Sequence, residues 1–360
     1  MAANTFGECI RLTTFGESHG EAMGGVLDGL PAGVSIDLDD IQEELDRRRP
    51  GQSRLTTPRK ESDRIEILSG IFEGRTTGSP IGFIIRNSNA RPTDYDHLRN
   101  TFRPSHADYT YTAKYGVRDH RGGGRASARE TVSRVAGGTL VKSWLRSEGI
   151  EVSAYVERVG EIAMAAEPTF YERGQVDAHD VRCPDPQTAV AMAEAIDGAR
   201  RAGDTLGGAV VVVARGVPAG WGEPVFDKLH AVLAHGFFSL PAVKGVEFGS
   251  GFQGTKLAGS THNDAFTSNA AGQIRTSSNR SGGIQGGISN GMDIVARIGF
   301  KPVATIRSEQ DSIDAEGRAV KVVGKGRHDP CVLPRAVPLV EAMTWLVLGD
   351  AAARAKMNRV

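Results

Sequence analysis

The chain has 360 residues, of which 39% are hydrophobic and 24% are charged, a composition that excludes a disordered or fibrous protein and fits one large or two average domains. Its 43 basic and 43 acidic residues cancel, so no overall field draws it to nucleic acid or an anionic membrane, and any anion site must be local. Cys9, Cys183 and Cys331 are far apart without a Cys-x-x-Cys pair, which argues against a disulfide framework or a structural zinc.

The N-terminus has no basic segment followed by an apolar one, and no apolar run approaches the length of a membrane span. No linker rich in proline, serine or charge divides the chain. We therefore predict a cytoplasmic protein that forms a single compact unit over residues 1–360, with no membrane and no nucleic-acid partner.

Capping residues mark the predicted helices in chain order. Glu43 completes a capping box with Asp40, and Ser127 with Glu130 forms a second one ahead of apolar residues at helical spacing. The predicted helices run from Asp40 to Pro50, from Ala128 to Arg146, from Asp185 to Gly203, from Val225 to Phe238, and from Pro338 through VEAMTWLVLGDAAARAK.

Short β-rich runs lie between these helices, and glycine-containing turns join many of them. The predicted strands are Arg64 to Leu68, Ile81 to Ile85, Gly207 to Ala214 and Gly291 to Ile298. Closely spaced strands with short connections are typical of antiparallel hairpins. The polar, glycine-containing stretch from Gly249 to Asn279 is the best candidate for a mobile loop over a site.

Two pairs of segments resemble each other. Gly29 to Gly33 (GLPAG) and Gly216 to Gly220 (GVPAG) each precede a predicted helix. The segments that start at Ser69 and Ser281 each read as a strand, a glycine turn and a strand. Chance similarity is an alternative for segments this short, but together they indicate an internal duplication, and hence an α+β fold with two antiparallel sheets enclosing a helical layer.

Basic residues concentrate between Arg91 and Arg134, where eight arginines and three histidines face five acidic residues. Within this stretch Arg121-Gly-Gly-Gly-Arg125-Ala-Ser127 leads into a capped helix, an arrangement whose backbone N–H groups and guanidinium groups can bind an anion. The alternative is a flexible turn before an ordinary helix. The excess of 33 arginines over 10 lysines suits bidentate anion binding, although genomic base composition explains it equally well.

Several other residues have both a functional and a structural interpretation. Arg47 to Arg49 end a helix, where cations meet the negative end of its dipole, but Arg54 and Arg59 follow closely and extend a basic surface. His19 and His106 can be structural histidines, or proton donors to a leaving phosphate. Asp329 can be a turn cap before Pro330.

Missing motifs narrow the possible chemistry. No His-x-x-x-His or clustered carboxylate spacing accompanies the histidines, so no metal site is predicted. The sequence also lacks a Gly-x-x-x-x-Gly-Lys-Ser/Thr loop and a Gly-x-Gly-x-x-Gly motif between a strand and a helix. Ordinary ATP-binding and NAD-binding folds therefore lose support.

At this point the motifs resemble those of the chorismate synthase family of the shikimate pathway. The similar segments occur in the family's order from Thr13 to Met343: TTFGESHG, DRRRPGQSR, FRPSHADYTYTAKYGVRDHRGGGRASARET, PAVKGVEFG, SGGIQGGISNG and GRHDPCVLPRAVPLVEAM. The resemblance implies a lyase of aromatic amino acid biosynthesis. It would convert 5-enolpyruvylshikimate 3-phosphate to chorismate by anti 1,4-elimination of phosphate, with reduced FMN and no net redox change.

The resemblance also implies a β-α-β sandwich, a homotetramer, and an external source of reduced flavin, with NADPH as the indirect reductant. It implies catalytic roles for His106, as the acid that protonates the leaving phosphate, for His19, which protonates the reduced flavin, and for Asp329, which relays a proton from it. The implied substrate ligands are Arg49, Arg103 and Arg129. Arg48 and Arg54 match pyridine-nucleotide positions, but could equally meet substrate.

The implied flavin positions are Arg125, Ala126, Ser127, Pro241, Ala242, Gly286, Lys301, Pro302, Val303, Ala304, Thr305 and Arg327. Ser105 stands where many members of the family have glycine, and Pro241 where several have asparagine. Two alternative functions stay open from the sequence alone. One is a binding module that only senses a phosphorylated metabolite, and the other is a flavin reductase.

Overall fold

The computed structural model describes residues 3–57, 61–87, 96, 98–324 and 328–358. Its two main sheets are five-stranded and entirely antiparallel. Together with the helices they give an α+β fold, as the sequence predicts.

Sheet I comes from the first quarter of the chain and has the order β1-β2-β3-β7-β4. Its strands are β1 (Thr5–Phe6), β2 (Arg11–Gly16), β3 (Ala22–Asp28), β4 (Ile65–Ile67) and β7 (Ile81–Arg86), and the hairpin β5 (Ile71–Phe72) with β6 (Arg75–Thr76) precedes β7.

Sheet II comes from residues 151–300 and has the order β11-β16-β10-β8-β9. Its strands are β8 (Glu151–Val159), β9 (Ile162–Ala163), β10 (Gly208–Arg215), β11 (Val243–Phe248) and β16 (Ile294–Phe300). Three further hairpins are β12 (Phe266–Ser268) with β13 (Ile274–Thr276), β14 (Ile284–Gln285) with β15 (Ile288–Ser289), and β17 (Gln310–Ile313) with β18 (Ala319–Val322).

The helices are α1 (Leu38–Arg48), α2 (Asp108–Tyr115), α3 (Thr131–Ser147), α4 (Arg173–Val176), α5 (Pro186–Ala202), α6 (Leu229–Phe238), α7 (Gly251–Gly254), α8 (Gly259–His262) and α9 (Leu333–Met357). Helix α3 packs on sheet I and α9 packs on sheet II, while α3 and α9 pack on each other. Helices α1 and α6 also contact α9. The apolar core therefore continues from one sheet to the other through the helices.

The chain connects the strands of the two sheets in the same order. In sheet I the spatial order β2-β3-β7-β4 is followed by α3, and in sheet II the order β8-β10-β16-β11 is followed by α9. The two-stranded hairpins β5-β6 and β14-β15 precede the equivalent strands β7 and β16. The similar segments in the sequence thus occupy equivalent positions in the two halves.

The glycines that open the similar GLPAG and GVPAG segments occupy matching environments. Gly29 has φ +90° and Gly216 has φ +79°, and a Cβ would lie within 2.3 Å of the Cys9 and Gly149 carbonyl oxygens respectively. Those carbonyls lie just before β2 and β8. Only glycine fits such a close approach of two backbones, which explains why both halves keep it.

Three predicted helix starts differ from the structure. The first helix is capped by Asp37, which accepts from the Asp39 N–H, rather than by Asp40. The fourth begins at Leu229 rather than Val225. The last begins at Leu333, so Pro338 lies inside it.

The other predicted elements are confirmed only in part. The helix from Asp185 to Gly203 is confirmed, with Asp185 as N-cap and Gly203 as a left-handed C-cap. Ser127 caps a 3₁₀ turn before α3, but Glu130 pairs with Arg134 instead of completing a capping box. The stretch from Gly249 to Asn279 folds into α7, α8 and the hairpin β12-β13.

Helix α9 satisfies the length and composition of a membrane span, so the prediction that no apolar run approaches that length is wrong. The helix has 25 residues and contains an 18-residue window with a mean hydropathy of 1.4, and 94% of that window is buried inside the protein. Because its neighbours are helices α1, α3 and α6 and sheet II, its apolar surface belongs to the core.

Candidate active site

An open cavity of about 390 Å³ lies where the end of α1, the loop before α2, the turn before α3 and the start of α9 meet. Loops that precede β11 and follow β16 form the rest of its wall. Among the residues singled out from the sequence, those that line it are Arg48, Arg103, His106, Ala126, Ser127, Arg129, Pro241, Ala242, Lys301, Val303, Ala304, Thr305 and Asp329.

Other predicted site residues lie elsewhere. The Arg49 guanidinium is 3.6 Å from Asp46 and 41% exposed, and Arg125 donates to Thr14 Oγ1 and the Gly16 carbonyl. Pro302 and Gly286 are not among the described lining residues. Arg327 falls outside the described residues, as do Arg59 and Arg91.

Arg54 lines a neighbouring cavity of about 380 Å³ rather than the main one. The two cavities share Thr305, His328 and Asp329 in their walls. Arg48 and Arg54, which the sequence groups together, therefore face different spaces.

His106 is held by a buried carboxylate that the sequence did not single out. Its Nδ1 lies 3.0 Å from Asp108 Oδ1 and 3.1 Å from Arg103 Nη2. Arg103 donates two hydrogen bonds, of 2.8 and 2.9 Å, to the same carboxylate, and Arg118 contacts it at 2.7 Å. An ionised carboxylate only accepts and a guanidinium only donates, so Asp108 favours a proton on Nδ1 whereas Arg103 favours an unprotonated Nδ1. Both contacts are made at Nδ1, and His106 lines the cavity.

Asp108 is ionised around neutral pH. Burial raises the pKa of this carboxyl, but the hydrogen bonds from Arg103 and His106 more than offset it, so the pKa lies well below its ordinary value. Asp108 is therefore an ionised partner for Arg103 and His106 around neutrality.

A second buried carboxylate, Asp63, holds two of the cavity arginines. It is fully buried and pairs with Arg48 at 3.3 Å and with Arg129 through a short contact. Burial raises the pKa of Asp63, but the guanidinium groups of Arg48 and then Arg129 bring it below its ordinary value. Burial and, second to it, repulsion from Arg335 lower the pKa of Arg48 to about 9, although the attraction of Asp63 acts in the opposite direction.

Asp329 is fixed from two sides. Its Oδ1 accepts from the Thr57 N–H at 2.9 Å, and its Oδ2 accepts from Arg335 Nη1. Arg335 in turn donates its Nε to the Arg48 carbonyl at 3.0 Å. The start of α9, the end of α1 and Asp329 thus form one connected group on the cavity wall.

The glycine loop before α3 is shaped for close approach. Gly122, Gly123 and Gly124 all have positive φ, at 64°, 83° and 51°. A Cβ on Gly122 would lie 2.0 Å from the His19 ring, and one on Gly123 would lie 3.4 Å from the His106 ring. The loop therefore brings the two histidines towards the same corner, with Gly122 between His19 and the cavity.

Backbone strain concentrates around this cavity. Ser105 has φ 55° and Ala242 has φ 71°, both line the cavity, and the adjoining Asp63 has φ 45°. Side chains rarely adopt this left-handed region, and such residues persist where the surroundings hold them in place. For Ser105 this explains why a glycine is the residue expected from the family pattern.

The cavity carries an excess of positive charge. Its described lining includes five cationic side chains, two histidines and two carboxylates: Arg48, Arg103, Arg129, Lys301, Arg335, His106, His328, Glu61 and Asp329. Burial, followed by repulsion from Lys244, lowers the pKa of Lys301. Such a lining suits a ligand with several anionic groups.

Sequence reasoning missed three residues of this site, namely Asp63, Asp108 and Arg335. The indication in the sequence is weak for each: Asp63 precedes a predicted strand, and Asp108 and Arg335 lie within the family-like segments. An acidic residue two positions after a histidine, or an arginine at the start of an apolar helix, cannot be distinguished from an ordinary surface residue without the fold. In the described part of the chain no group of three or more His, Cys, Asp or Glu could hold a metal.

Known proteins resemble this chain over nearly its whole length. Residues 10–353 match the family model described as chorismate synthase. Similar proteins named chorismate synthase come from Christiangramia forsetii (54% identical, covering 100% of both chains) and Synechococcus sp. strain JA-3-3Ab (58% identical, covering 96% of this chain and 92% of the relative).

A solved structure titled "Crystal Structure of Chorismate Synthase" is also similar, with a TM-score of 0.76 and 30% identity over 96% of this chain and 92% of that one. The family match and the relatives' identity extend over nearly the whole chain, including every segment that lines the cavity. This chain belongs to the chorismate synthase family.

Proposed function

We propose that this chain is a chorismate synthase, a carbon–oxygen lyase that removes phosphate and a ring hydrogen from 5-enolpyruvylshikimate 3-phosphate to form chorismate. The observation that carries the proposal is the single cavity that brings Arg48, Arg103, Arg129 and Arg335 together with His106. Family membership gives the reaction, and the cavity provides a place for it.

The charges of the substrate match the lining. The substrate carries one phosphate and two carboxylates, and arginine binds both groups through paired hydrogen bonds. Asp63 and Asp108 fix three of the four guanidinium groups, so they need little reordering when substrate binds. These side chains bind and orient the substrate.

The leaving phosphate needs a proton or a compensating charge as its bond to carbon breaks. The C–O bond electrons go to phosphate, the ring hydrogen leaves overall as a proton, and the electrons of its C–H bond enter the new double bond, so the elimination involves no net oxidation. His106, with Nδ1 bonded to Asp108, offers Nε2 to the departing phosphate oxygen. Asp329, oriented by Thr57 and Arg335, and His19, beside Gly122, would hold or move protons nearby.

The residues present fit a reduced flavin mononucleotide. The glycine loop lacks side chains that would obstruct a planar ring, and Lys301 supplies a cation for its phosphate. Ala126, Ser127, Ala242 and the segment from Val303 to Thr305 would hold it. When bound, reduced FMN would supply electron density as the phosphate leaves. Arg125, Gly286, Pro302 and Arg327 stay predicted flavin positions, and Arg49 a predicted substrate ligand.

The finer features of the family also form part of the proposal. We infer a β-α-β sandwich with internal duplication, supported by the shared strand order and by α3 and α9 packing on opposite sheets. A cytoplasmic homotetramer that receives reduced flavin from an external source, with NADPH as indirect reductant, would complete it. Arg48 and Arg54 stay candidate nucleotide contacts.

The test is an anaerobic assay with 5-enolpyruvylshikimate 3-phosphate and chemically reduced FMN. Chorismate absorbance and phosphate release should rise together, and omission of reduced FMN should stop both. Folded protein that binds flavin and substrate yet releases no phosphate would contradict the proposal and favour a binding module. NADPH oxidation with FMN alone would instead identify a flavin reductase.

A further inference from the structure

We infer that Arg182, which is outside the cavity, is a positioning residue that fixes the two segments bearing Arg48 and Arg335. Its Nη1 donates to the Arg47 carbonyl at 2.8 Å and also to the Pro334 carbonyl. These carbonyls belong to the residues immediately before Arg48 and Arg335, both of which line the cavity. The inference rests on the proposed function for its substrate.

The Pro334 carbonyl needs such a donor. In a helix it would accept from the N–H of residue 338, four positions on, but Pro338 has no N–H. A buried carbonyl left without a partner is costly. Arg182 supplies that hydrogen bond, which is how α9 continues through Pro338 and still presents Arg335 at its first turn.

The Arg47 carbonyl lies at the other end of the bridge, where α1 finishes. Gln52 also donates to it, and the Gln52 side-chain oxygen accepts from Arg182 Nη2 at 2.8 Å. Arg335 Nε donates to the Arg48 carbonyl at 3.0 Å. Hydrogen bonds therefore join the end of α1 to the start of α9 both behind the cavity and at its wall.

Arg182 is itself held firmly. Its side chain is 8% exposed, and its Nε lies 3.1 Å from Asp177. Its backbone has φ 63°, a region in which side chains are rarely found, and its own carbonyl accepts from Val156 N–H of β8. Among the described residues that line the cavity Arg182 is absent, so its effect on ligands must pass through Arg48 and Arg335.

Arg48 and Arg335 would contact substrate anions before and during the reaction, so their displacement weakens binding more than it slows chemistry. Arg182→Met should raise the KM for 5-enolpyruvylshikimate 3-phosphate by about tenfold or more, because a displacement of about 1 Å is enough to disrupt such contacts. The flavin dissociation constant should stay within about twofold, since the proposed flavin positions lie on other segments.

The matched control is Arg173→Met, which removes a guanidinium from the same Asp177 and Glu44 network. Arg173 makes no described contact with either carbonyl. Thermal unfolding and KM are measured for both variants under anaerobic conditions with saturating reduced FMN. We expect both to lose stability and only Arg182→Met to lose substrate affinity. An equal rise in KM in the two variants, or none in Arg182→Met, would overturn the inference.

Two milder variants keep the test informative if Arg182→Met does not fold. Arg182→Lys, which keeps the charge but not the planar fork, should recover part of the affinity, and Gln52→Ala should raise KM by a smaller factor. Unchanged KM in both would also contradict the inference. If the wild-type protein shows no turnover, the proposed function has failed. Calorimetric titration of inorganic phosphate into wild-type and Arg182→Met protein then still tests the bridge, with weaker binding expected for the variant.

Discussion

At the scale of single residues, the site depends on buried carboxylates that orient basic groups. Asp108 holds both Arg103 and His106, and Asp63 holds both Arg48 and Arg129. Each carboxylate reduces the freedom of two cations that the substrate would otherwise have to order. Positioning of this kind lowers the entropic cost of binding.

The first prediction concerns Asp108. Asp108→Asn keeps the shape but removes the negative charge that stabilises a protonated His106, so kcat should fall by about 10²-fold. Flavin affinity should be unchanged, and the activity lost should approach that of His106→Ala. The control is Asp311→Asn, because Asp311 is 88% exposed and pairs only with Lys321 in the described chain. Full activity in Asp108→Asn would exclude this role.

The second prediction concerns the glycine loop. Gly122→Ala would place a methyl group 2.0 Å from the His19 ring, whereas Gly116 has a similar φ of 69° with no atom within 4 Å of its Cβ position. Both substitutions should cost about 1 kcal/mol of stability through backbone strain. Only Gly122→Ala should also lower turnover, by about 10²-fold. Equal turnover in the two variants would show that His19 takes no part.

The sequence singled out residues but could not show their contacts. Arg48, Arg103, His106, Arg129 and Asp329 all line one cavity, and their roles stay predictions. Arg49 has the same local surroundings as Arg48, but the turn of α1 directs Arg48 into the cavity and leaves Arg49 beside Asp46. Helical geometry separates neighbouring residues by about 100°, and only the packing of α1 shows which one faces inward.

At the scale of elements, the crossing of α3 and α9 brings the glycine loop and the start of α9 to one site. The helices approach closely because each supplies a glycine at the contact. A Cβ on Gly138 of α3 would lie 2.6 Å from Ala342, and one on Gly349 of α9 would lie 2.4 Å from Val141. Any added atom at these positions must push the helices apart.

The third prediction tests this contact. Gly138→Ala should destabilise the protein by about 1–3 kcal/mol, since an overpacked core forces side chains and backbone to shift. Gly198→Ala, in helix α5 with no atom within 4 Å of the new methyl, should instead stabilise it by about 0.5–1 kcal/mol. Urea unfolding of both variants measures the difference. A stabilised Gly138→Ala protein would mean that the two helices can separate freely.

Element types were predictable because hydrophobic spacing and caps are local signals. Helix starts were not, as α9 shows. Pro338 marks a start by local rules, but a distant arginine satisfies the carbonyl that proline leaves free, and the helix extends to Leu333. The start of α9 was therefore decided by a contact between residues 152 positions apart.

At the scale of the whole molecule, a buried charge network joins α1, α3 and α9. Glu44 contacts Arg47 and Lys142, each at 2.7 Å, and Arg47 also pairs with Glu341. Burial raises the pKa of Glu44, but Arg47 and then Lys142 more than offset this and bring it to about 2. Removal of this carboxylate would take one anionic partner from each of the buried cations Arg47 and Lys142.

The fourth prediction follows from the sign of that shift. A carboxyl whose folded-state pKa is about 2, against 4.5 ordinarily, stabilises the protein above pH 4.5 and loses that contribution as the pH falls towards 2. Glu44→Gln should lower the free energy of unfolding at pH 7 by about 3 kcal/mol. In this variant the free energy of unfolding should also decrease less than in the wild type as the pH falls from 4.5 to about 2. Glu43→Gln, whose side chain is 66% exposed, should change it by less than about 0.5 kcal/mol. Parallel pH profiles for wild-type and Glu44→Gln protein would contradict the assignment.

The sequence by itself determined the α+β class, the antiparallel strands, the repeated segments and the concentration of anion-binding residues around the glycine loop. These follow from local spacing and composition, which act over a few residues. The tertiary structure alone decided which arginines face the cavity, which carboxylates hold them, and that Arg182 joins α1 to α9. Such contacts link distant positions, and their choice depends on packing and on the cost of leaving a buried charge or carbonyl unpaired.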